Sequence, residues 1–278
     1  MKISGAGLLL PKSNQLFVMK KSVLLAVAGV VLASSSALHA QEYRTKLSGK
    51  ANKIIIEMQA GDVNIEGTDG DEVVIKGNGY EEPNKRAEGL HPVYNSAVDN
   101  TKLGLSVTST DNTLRIVKAS RKDATYTIRV PRRADVSFTQ SGWGGGGDLL
   151  LQNLNGSVEV AMKNASAKLL NVTGPVVANT VSGDITVRFA TLRPEPSSIS
   201  VVSGDVDVTL PGNSKTTLTM RSISGELYTD LDLNVPKGNG NETMRQVGGQ
   251  TVSGTLNGGG TPINLKTVSG DVFVRKAK

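Results

Sequence analysis

Cysteine is absent from the 278 residues, which excludes disulfides, thiolate metal sites, cysteine nucleophiles and a lipidated N-terminal cysteine. Histidine is almost absent, with only His39 and His91. Once a leader carrying His39 is removed, a Ser-His-Asp arrangement could use His91 alone, and zinc has too few ligands. His91 precedes Pro92 in a polar stretch, where an exposed histidine without a role is the simplest reading. Aromatic residues are scarce at 4%, which weakens any reading that needs platforms for bases or sugars. Long apolar runs are also missing. The longest, Val23 to Ala33, falls short of the roughly 20 residues that span a bilayer. Nothing in the first part of the mature chain reads as an amphipathic helix.

Residues 1–40 carry four Lys or Arg and no acidic residue. Met19, Lys20 and Lys21 form a positive start, the apolar run follows, and Ser34 to Ala37 and Ala40 supply small residues for signal-peptidase cleavage. The pattern predicts a leader over 1–40 with Met19 as the translation start. Cleavage after Ala40 leaves Gln41 first, and cleavage after Ala37 is the second choice. Removing the leader leaves 27 basic residues against 25 acidic ones, a balance that gives no reason to expect nucleic acid or a membrane surface as partner. The expected product is exported, to the periplasm or the cell surface, with neither a lipid anchor nor a stable membrane span.

Glycine is what the chain has in excess, 31 of 278, and much of it marks one kind of corner. Val181-Ser182-Gly183-Asp184, Val202-Ser203-Gly204-Asp205, Ile223-Ser224-Gly225-Glu226, Val252-Ser253-Gly254-Thr255 and Val268-Ser269-Gly270-Asp271 repeat it, with looser versions around Gly156 and Gly174. The intervals between the five glycines are 21, 21, 29 and 16 residues. Apolar residues fall at the second and fourth positions after the glycine, as in Ile185 and Val187, Val206 and Val208, or Val272 and Val274. Period two is a strand with one buried face. Each unit therefore reads as strand, tight glycine turn, strand, and such a unit must stack on neighbours to bury its apolar side.

The fold class expected is all-β, a β-helix-like stack of strand-turn-strand repeats with a less regular N-terminal β cap. An antiparallel β-sandwich is the alternative favoured by the unequal intervals. Residues 41–278 are expected to form one domain, with cap strands and a polar loop over 41–147 and the regular repeats over 148–278. Cap strands are predicted at 53–58, 62–66, 72–76, 103–108, 113–118, 126–130 and 136–139. A polar excursion, 79–101, interrupts them and contains Tyr80, Glu81, Glu82, His91 and Tyr94. Loops of that length are usually functional or disordered.

Gly104-Leu105-Ser106-Val107, Tyr126-Thr127-Ile128-Arg129-Val130-Pro131, Asn171-Val172-Thr173-Gly174-Pro175-Val176, the Ser-Gly-Asp corners and the ending Thr267 to Val272 together resemble the bacterial envelope β-strand-repeat proteins labelled putative adhesins, a domain of unknown function. The resemblance covers essentially all of 41–278. It implies a repeat fold, an envelope location and a binding rather than a catalytic role, and it brings no catalytic residues with it.

Three features invite chemistry. Asp184, Asp205, Glu226 and Asp271 recur after the corner glycines, and stacked coils would set them in a column spaced by about 4.8 Å. At that distance in water, neighbouring carboxylates repel by only about 1 kcal/mol, so turn chemistry explains them first. A calcium ladder comes second, interrupted at Thr255, and paired catalytic acids third. Gly142, Gly144 and Gly147 match the spacing G-x-G-x-x-G, but Asp148-Leu149-Leu150-Leu151 begins a strand and no helix follows, so phosphate binding is not expected. Trp143 beside these glycines reads as a plug over the end of the stack, with sugar stacking as the second reading. Trp143, Tyr80 and Tyr94 are thus the candidate binding residues; no cofactor is expected. A glycan, a matrix component or another envelope protein is the expected partner of a surface-presenting, adhesin-like protein. A polysaccharide-acting enzyme or its relic and a structural or stress-linked periplasmic component are the alternatives.

Overall fold

The computed structural model describes residues 42–47, 53–81, 84–90, 93, 97–142, 147–235 and 249–278. The leader with Met19 and its cleavage sites, together with Glu82, His91, Tyr94, Trp143 and Gly144, lies outside the described residues. In chain order the strands are β1 (Glu42–Lys46), β2 (Lys53–Met58), β3 (Val63–Thr68), β4 (Glu72–Asn78), β5 (Leu105–Thr110), β6 (Thr113–Lys118), β7 (Thr125–Pro131), β8 (Asp135–Gln140), β9 (Leu149–Gln152) and β10 (Val158–Ala161). They continue with β11 (Ala167–Val172), β12 (Val176–Ser182), β13 (Ile185–Phe189), β14 (Ser197–Ser203), β15 (Val206–Leu210), β16 (Thr216–Ser224), β17 (Leu227–Thr229), β18 (Gln250–Leu256), β19 (Thr261–Ser269) and β20 (Val272–Lys276). The only helical turn among the described residues is the 3₁₀ turn Lys85–Ala87. No helix there is long and apolar enough to cross a membrane.

Two ten-stranded sheets take one strand each from successive coils. One runs β1-β4-β7-β3-β9-β11-β13-β15-β20-β17 and the other β18-β16-β19-β14-β12-β10-β8-β2-β6-β5. Inner neighbours pair in parallel, and antiparallel pairs occur only at the outer strands, as β1 with β4, β4 with β7, β5 with β6 and β16 with β18. The β-helix-like stack is therefore the architecture, and the antiparallel sandwich is not. Alternation decides which face goes inward: Ile54, Ile56 and Met58 of β2 are buried, as are Val206, Val208 and Leu210 of β15. Both inner faces feed one continuous core, in which Tyr126 and Phe138 are the largest fully buried side chains. Each buried aliphatic side chain contributes roughly 1.5–3 kcal/mol, and with no cysteine the stack is held by burial and hydrogen bonds.

The order of coils in space is not the order in sequence. The coil β19–β20 sits between β14–β15 and β16–β17, so a late segment fills an interior place. At the other end, β2–β3 lies between β6–β7 and β8–β9. This insertion explains the unequal glycine intervals. The chain leaves β15, skips a place to form β16 and β17, makes β18, and then returns to fill the gap.

It also corrects one corner. Gly254 lies inside β18, where it is paired antiparallel with Leu218 of β16, so Val252 to Thr255 is a strand segment that only looks like a corner. Gly183, Gly204, Gly270 and Gly225 do stand at corners, each with positive φ. They stack in that spatial order, so closely that a Cβ on Gly204 would meet the Gly183 carbonyl oxygen at 2.3 Å. Gly156 and Gly174 occupy the opposite corner without positive φ. They are needed for space, since a Cβ on Gly174 would lie 2.0 Å from the Gly156 carbonyl oxygen.

Candidate functional site

The acidic column exists, with Asp271 between Asp205 and Glu226 because of the inserted coil. Asp184, Asp205 and Asp271 are each used by the coil above, and Glu226, at the top, accepts from the Gln250 side-chain amide at 3.5 Å. Asp184 Oδ1 accepts the Asp205 N–H at 2.9 Å, Asp205 Oδ1 accepts that of Asp271 at 2.8 Å, and Asp271 Oδ1 accepts that of Glu226 at 2.8 Å. The column continues downward through residues that lack the motif: the Ser166 hydroxyl accepts the Asp184 N–H, Asp148 accepts that of Ser166, and Asp62 accepts that of Asp148. The physical cause is local. At Asp184, Asp205, Asp271 and Glu226 the donated N–H follows a corner glycine at positive φ, and at every level a short side chain with an oxygen beneath the corner supplies the acceptor that the ladder does not. Asp62, Asp148 and Ser166 escaped notice in the sequence because no Ser-Gly precedes them. Their position immediately before the first inward residue of a strand is the signal they share. Thr255 is not a gap in this column at all, because it exchanges backbone hydrogen bonds with Asn234 beside β18. Among the described residues no group of three or more His, Cys, Asp or Glu is placed to hold a metal ion.

The polar excursion forms a different kind of site around Asp99. Its Oδ1 accepts from the Thr101 N–H, the Thr101 hydroxyl and the Lys102 N–H, and its Oδ2 accepts from the Gly104 N–H and the Tyr80 hydroxyl, all at 2.9–3.0 Å. Burial pushes the Asp99 carboxyl up, but these hydrogen bonds outweigh it and leave the group below its ordinary value. A cavity of about 550 Å³ opens here, lined by Tyr80, Asn84, Lys85, Ala87, Glu88, Asp99 and Lys102. Tyr80 is therefore a clamp that ties the loop down at the edge of this cavity, its hydroxyl already engaged.

Next to it lies a group that sequence reasoning missed. Lys118 ends β6 on the inward phase and is buried, with Nζ 4.7 Å from the centre of the Tyr126 ring and no hydrogen-bond partner among the described residues. Burial holds its amine below the ordinary lysine range, opposed by the Asp123 carboxylate. Burial also raises the Tyr126 phenol, whose hydroxyl donates to the Leu103 carbonyl at 2.7 Å. The alternation Leu114, Ile116, Lys118 was the available signal.

The outer face of the sheet containing β12 shows what the first letter of the corner motif does. Register places Val181, Val202, Val268 and Ile223 side by side on β12, β14, β19 and β16. These residues point outward: Val181, Val202 and Ile223 are 39%, 47% and 42% exposed. The corner serines Ser182, Ser203, Ser269 and Ser224 form a parallel, exposed column beside them. The repeat thus builds a flat stripe of aliphatic and hydroxyl groups three strand spacings wide, about 14 Å.

Residues 144–275 match the model of the family described as Toastrack DUF4097. No curated protein matches the chain. Among solved structures, the chain is similar to a putative cell adhesion protein from Clostridium sporogenes, at 10% identity and a TM-score of 0.45, with 85% of this chain and 99% of that one covered. It is also similar to a putative adhesin from Bacteroides fragilis, at 15% identity and a TM-score of 0.34, covering 85% and 96%. A putative lipid binding protein from Parabacteroides distasonis aligns at 12% identity and a TM-score of 0.29, covering 85% and 96%.

Proposed function

We propose that this chain, which carries a Toastrack DUF4097 domain over residues 144–275, is an exported, non-catalytic envelope protein that presents its sheet faces as a binding surface in the manner of an adhesin. The carrying observation is the outward stripe Val181–Val202–Val268–Ile223 with its serine column. A core-building repeat has no need of β-branched residues facing water at the same place in four coils, and a contiguous exposed apolar patch is a common mark of an interaction site. The non-catalytic part of the reading is supported by the fate of the acids. Asp184, Asp205 and Asp271 serve the backbone of the next coil, and Asp99 is occupied by its own loop, which argues against a polysaccharide-cleaving pair. Export rests on the leader pattern of residues 1–40.

Two measurements test the proposal. Purified protein on an array of glycans and matrix proteins, run alongside hydrolase and lyase assays on the same glycans, should show binding without turnover. Turnover would make it an enzyme, and silence in both would favour the structural envelope component. Fractionation of the producing cell should find the protein in the periplasm or at the surface, and a cytoplasmic pool of full-length chain would remove the export reading.

A further inference from the structure

The corner motif repeats more than its four letters. Two residues before the outward aliphatic of each coil stands a hydrogen-bond donor, and three residues after it stands an acid: Lys266, Val268 and Asp271 on the β19 coil, Arg221, Ile223 and Glu226 on the β16 coil. Asn179 and Ser200 hold the donor place on the β12 and β14 coils, and Asp184 and Asp205 hold the acid place. Register aligns the donors as it aligns the stripe, since Asn179 pairs with Ser200, Ser200 with Lys266 and Lys266 with Arg221. Alternation puts them on the same outer face as the aliphatics, where Asn179, Lys266 and Arg221 are exposed and Ser200 is partly so. The face therefore runs from donors, through the aliphatic stripe and the corner serines, to acceptors at the rim.

Lys266 and Arg221 stand side by side without an ion-pair partner among the described residues. Within one chain that placement is unfavourable, because like charges directly opposite on neighbouring strands repel. The acids at the rim are only half used. Oδ1 of Asp205 and Oδ1 of Asp271 each accept one N–H from the next coil, and each carboxylate keeps a second oxygen for another donor. Donor and acid of one coil are five residues apart, with the glycine corner between them, and no ion pair joins them.

A second copy of the chain meets both needs at once. A two-fold axis laid along the stripe, parallel to the stack, brings the two faces together with strand directions reversed and coils level. Stripe then covers stripe, Lys266 of each copy faces Asp271 of the other, and Arg221 faces Glu226. At the next two levels Ser200 faces Asp205 and Asn179 faces Asp184. A two-fold axis across the stack would instead set donors on donors and acids on acids, so charge selects the first arrangement. Packed sheet faces stand about 10 Å apart, a gap that lysine and arginine side chains bridge. We propose that this face pairs with the same face of a second copy, the two stacks lying parallel and side by side. The proposal rests on the reading of the stripe as an interaction surface and names its occupant. The four coils span about 14 Å along the stack, a small patch beside those of stable dimers, so the self-association is weak and concentration-dependent.

The absence of cysteine lets a single introduced thiol report on one place. Val202→Cys, on the proposed axis, and Thr186→Cys, on the outer face of the other sheet, are treated in the full chain with a short bismaleimide linker. Val202→Cys should be captured as a covalent dimer in a yield that rises with protein concentration, while Thr186→Cys stays monomeric. Sedimentation velocity over about a hundredfold range of concentration should show the unmodified chain passing from monomer to dimer. Lys266→Glu combined with Arg221→Glu should weaken that association about tenfold or more and leave the thermal midpoint in place, since both side chains are exposed. A monomer at every concentration, equal capture of the two thiols, or a dimer indifferent to the double charge reversal would overturn the pairing. If the chain stays monomeric while a glycan or matrix protein from the array shields the thiol of Val202→Cys, the face belongs to that ligand, and the surface reading survives without self-pairing. A monomer that also binds nothing on the array would overturn both.

Discussion

Between Glu42 and Arg133 neighbouring strands are tied by ion pairs across their outward faces, whereas the later coils are tied by oxygen-bearing side chains that accept a single N–H from the coil above. Arg44 with Glu72, Lys76 with Glu42, Arg115 with Glu57 and Arg129 with Glu66 belong to the first region. Arg275 with Asp207 is an ion pair outside it. The difference follows from repetition. In the later coils every corner has the same neighbours above and below, so one residue choice solves the same problem at each level. The first region mixes antiparallel strands, a long excursion and an inserted coil, and each contact there is a separate solution. Exposed ion pairs contribute about 0–1 kcal/mol and fade with salt, so this region is expected to lean on its burial, and there the misfit is Lys118.

The sharpest way to break the comparison is at glycine. Gly204→Ala places a Cβ 2.3 Å from the Gly183 carbonyl oxygen at a φ of +140° and should cost about 3 kcal/mol or more. Gly70→Ala in the first region has a φ of +101° but open space and should cost about 1 kcal/mol. Denaturant unfolding of the two variants separates crowding from dihedral strain, and equal losses would mean that the stacked corner is not the tighter one. Next in size, Lys118→Met should stabilise the protein by about 1 kcal/mol at neutral pH, because an unpaired buried amine gives way to an apolar chain of similar length. The pH dependence has a definite sign. The folded amine is held below the unfolded one, so unfolding takes up a proton between the two values and stability of the unmodified protein rises as pH climbs through that alkaline window. Lys118→Met should lack the rise, and an identical pH profile in both proteins would show the amine to be solvated.

Asp205→Ala should cost about 1 kcal/mol through the orphaned Asp271 N–H, while Asp205→Asn, which keeps an acceptor oxygen, should recover most of it. Millimolar calcium should leave the melting midpoint of the unmodified protein where it was; an upward shift would mean that the column binds a cation after all. The smallest effect belongs to the first region, where Glu57→Gln should cost no more than about 0.5 kcal/mol, an effect that disappears in high salt.

Strands were the most legible part of the sequence. The expected segments 53–58 and 113–118 coincide with β2 and β6, because a one-sided strand writes its period directly into residue type. Corners were legible where positive φ and crowding coincide, as at Gly204. Gly254 misled because a strand and a corner can share the letters Val-Ser-Gly, and only the partner strand tells them apart. The order of coils could not be read, since pairing between distant segments leaves no local trace beyond the odd intervals. Of the candidate binding residues, Tyr80 was found but its hydroxyl is committed to Asp99. Tyr228 and Phe273, whose rings stack with centroids 5.2 Å apart, could not be paired from the sequence, because they lie 45 residues apart and meet only through the inserted coil.

That coil also sets a timetable. Residues 261–276 are made after β16 and β17 yet must lie beneath them, so during synthesis the β16–β17 coil has no floor until they arrive. The stack up to β15 can close early, while everything above waits for the last stretch to arrive. A truncation that removes only those residues takes out an interior floor, with the levels above it left unsupported.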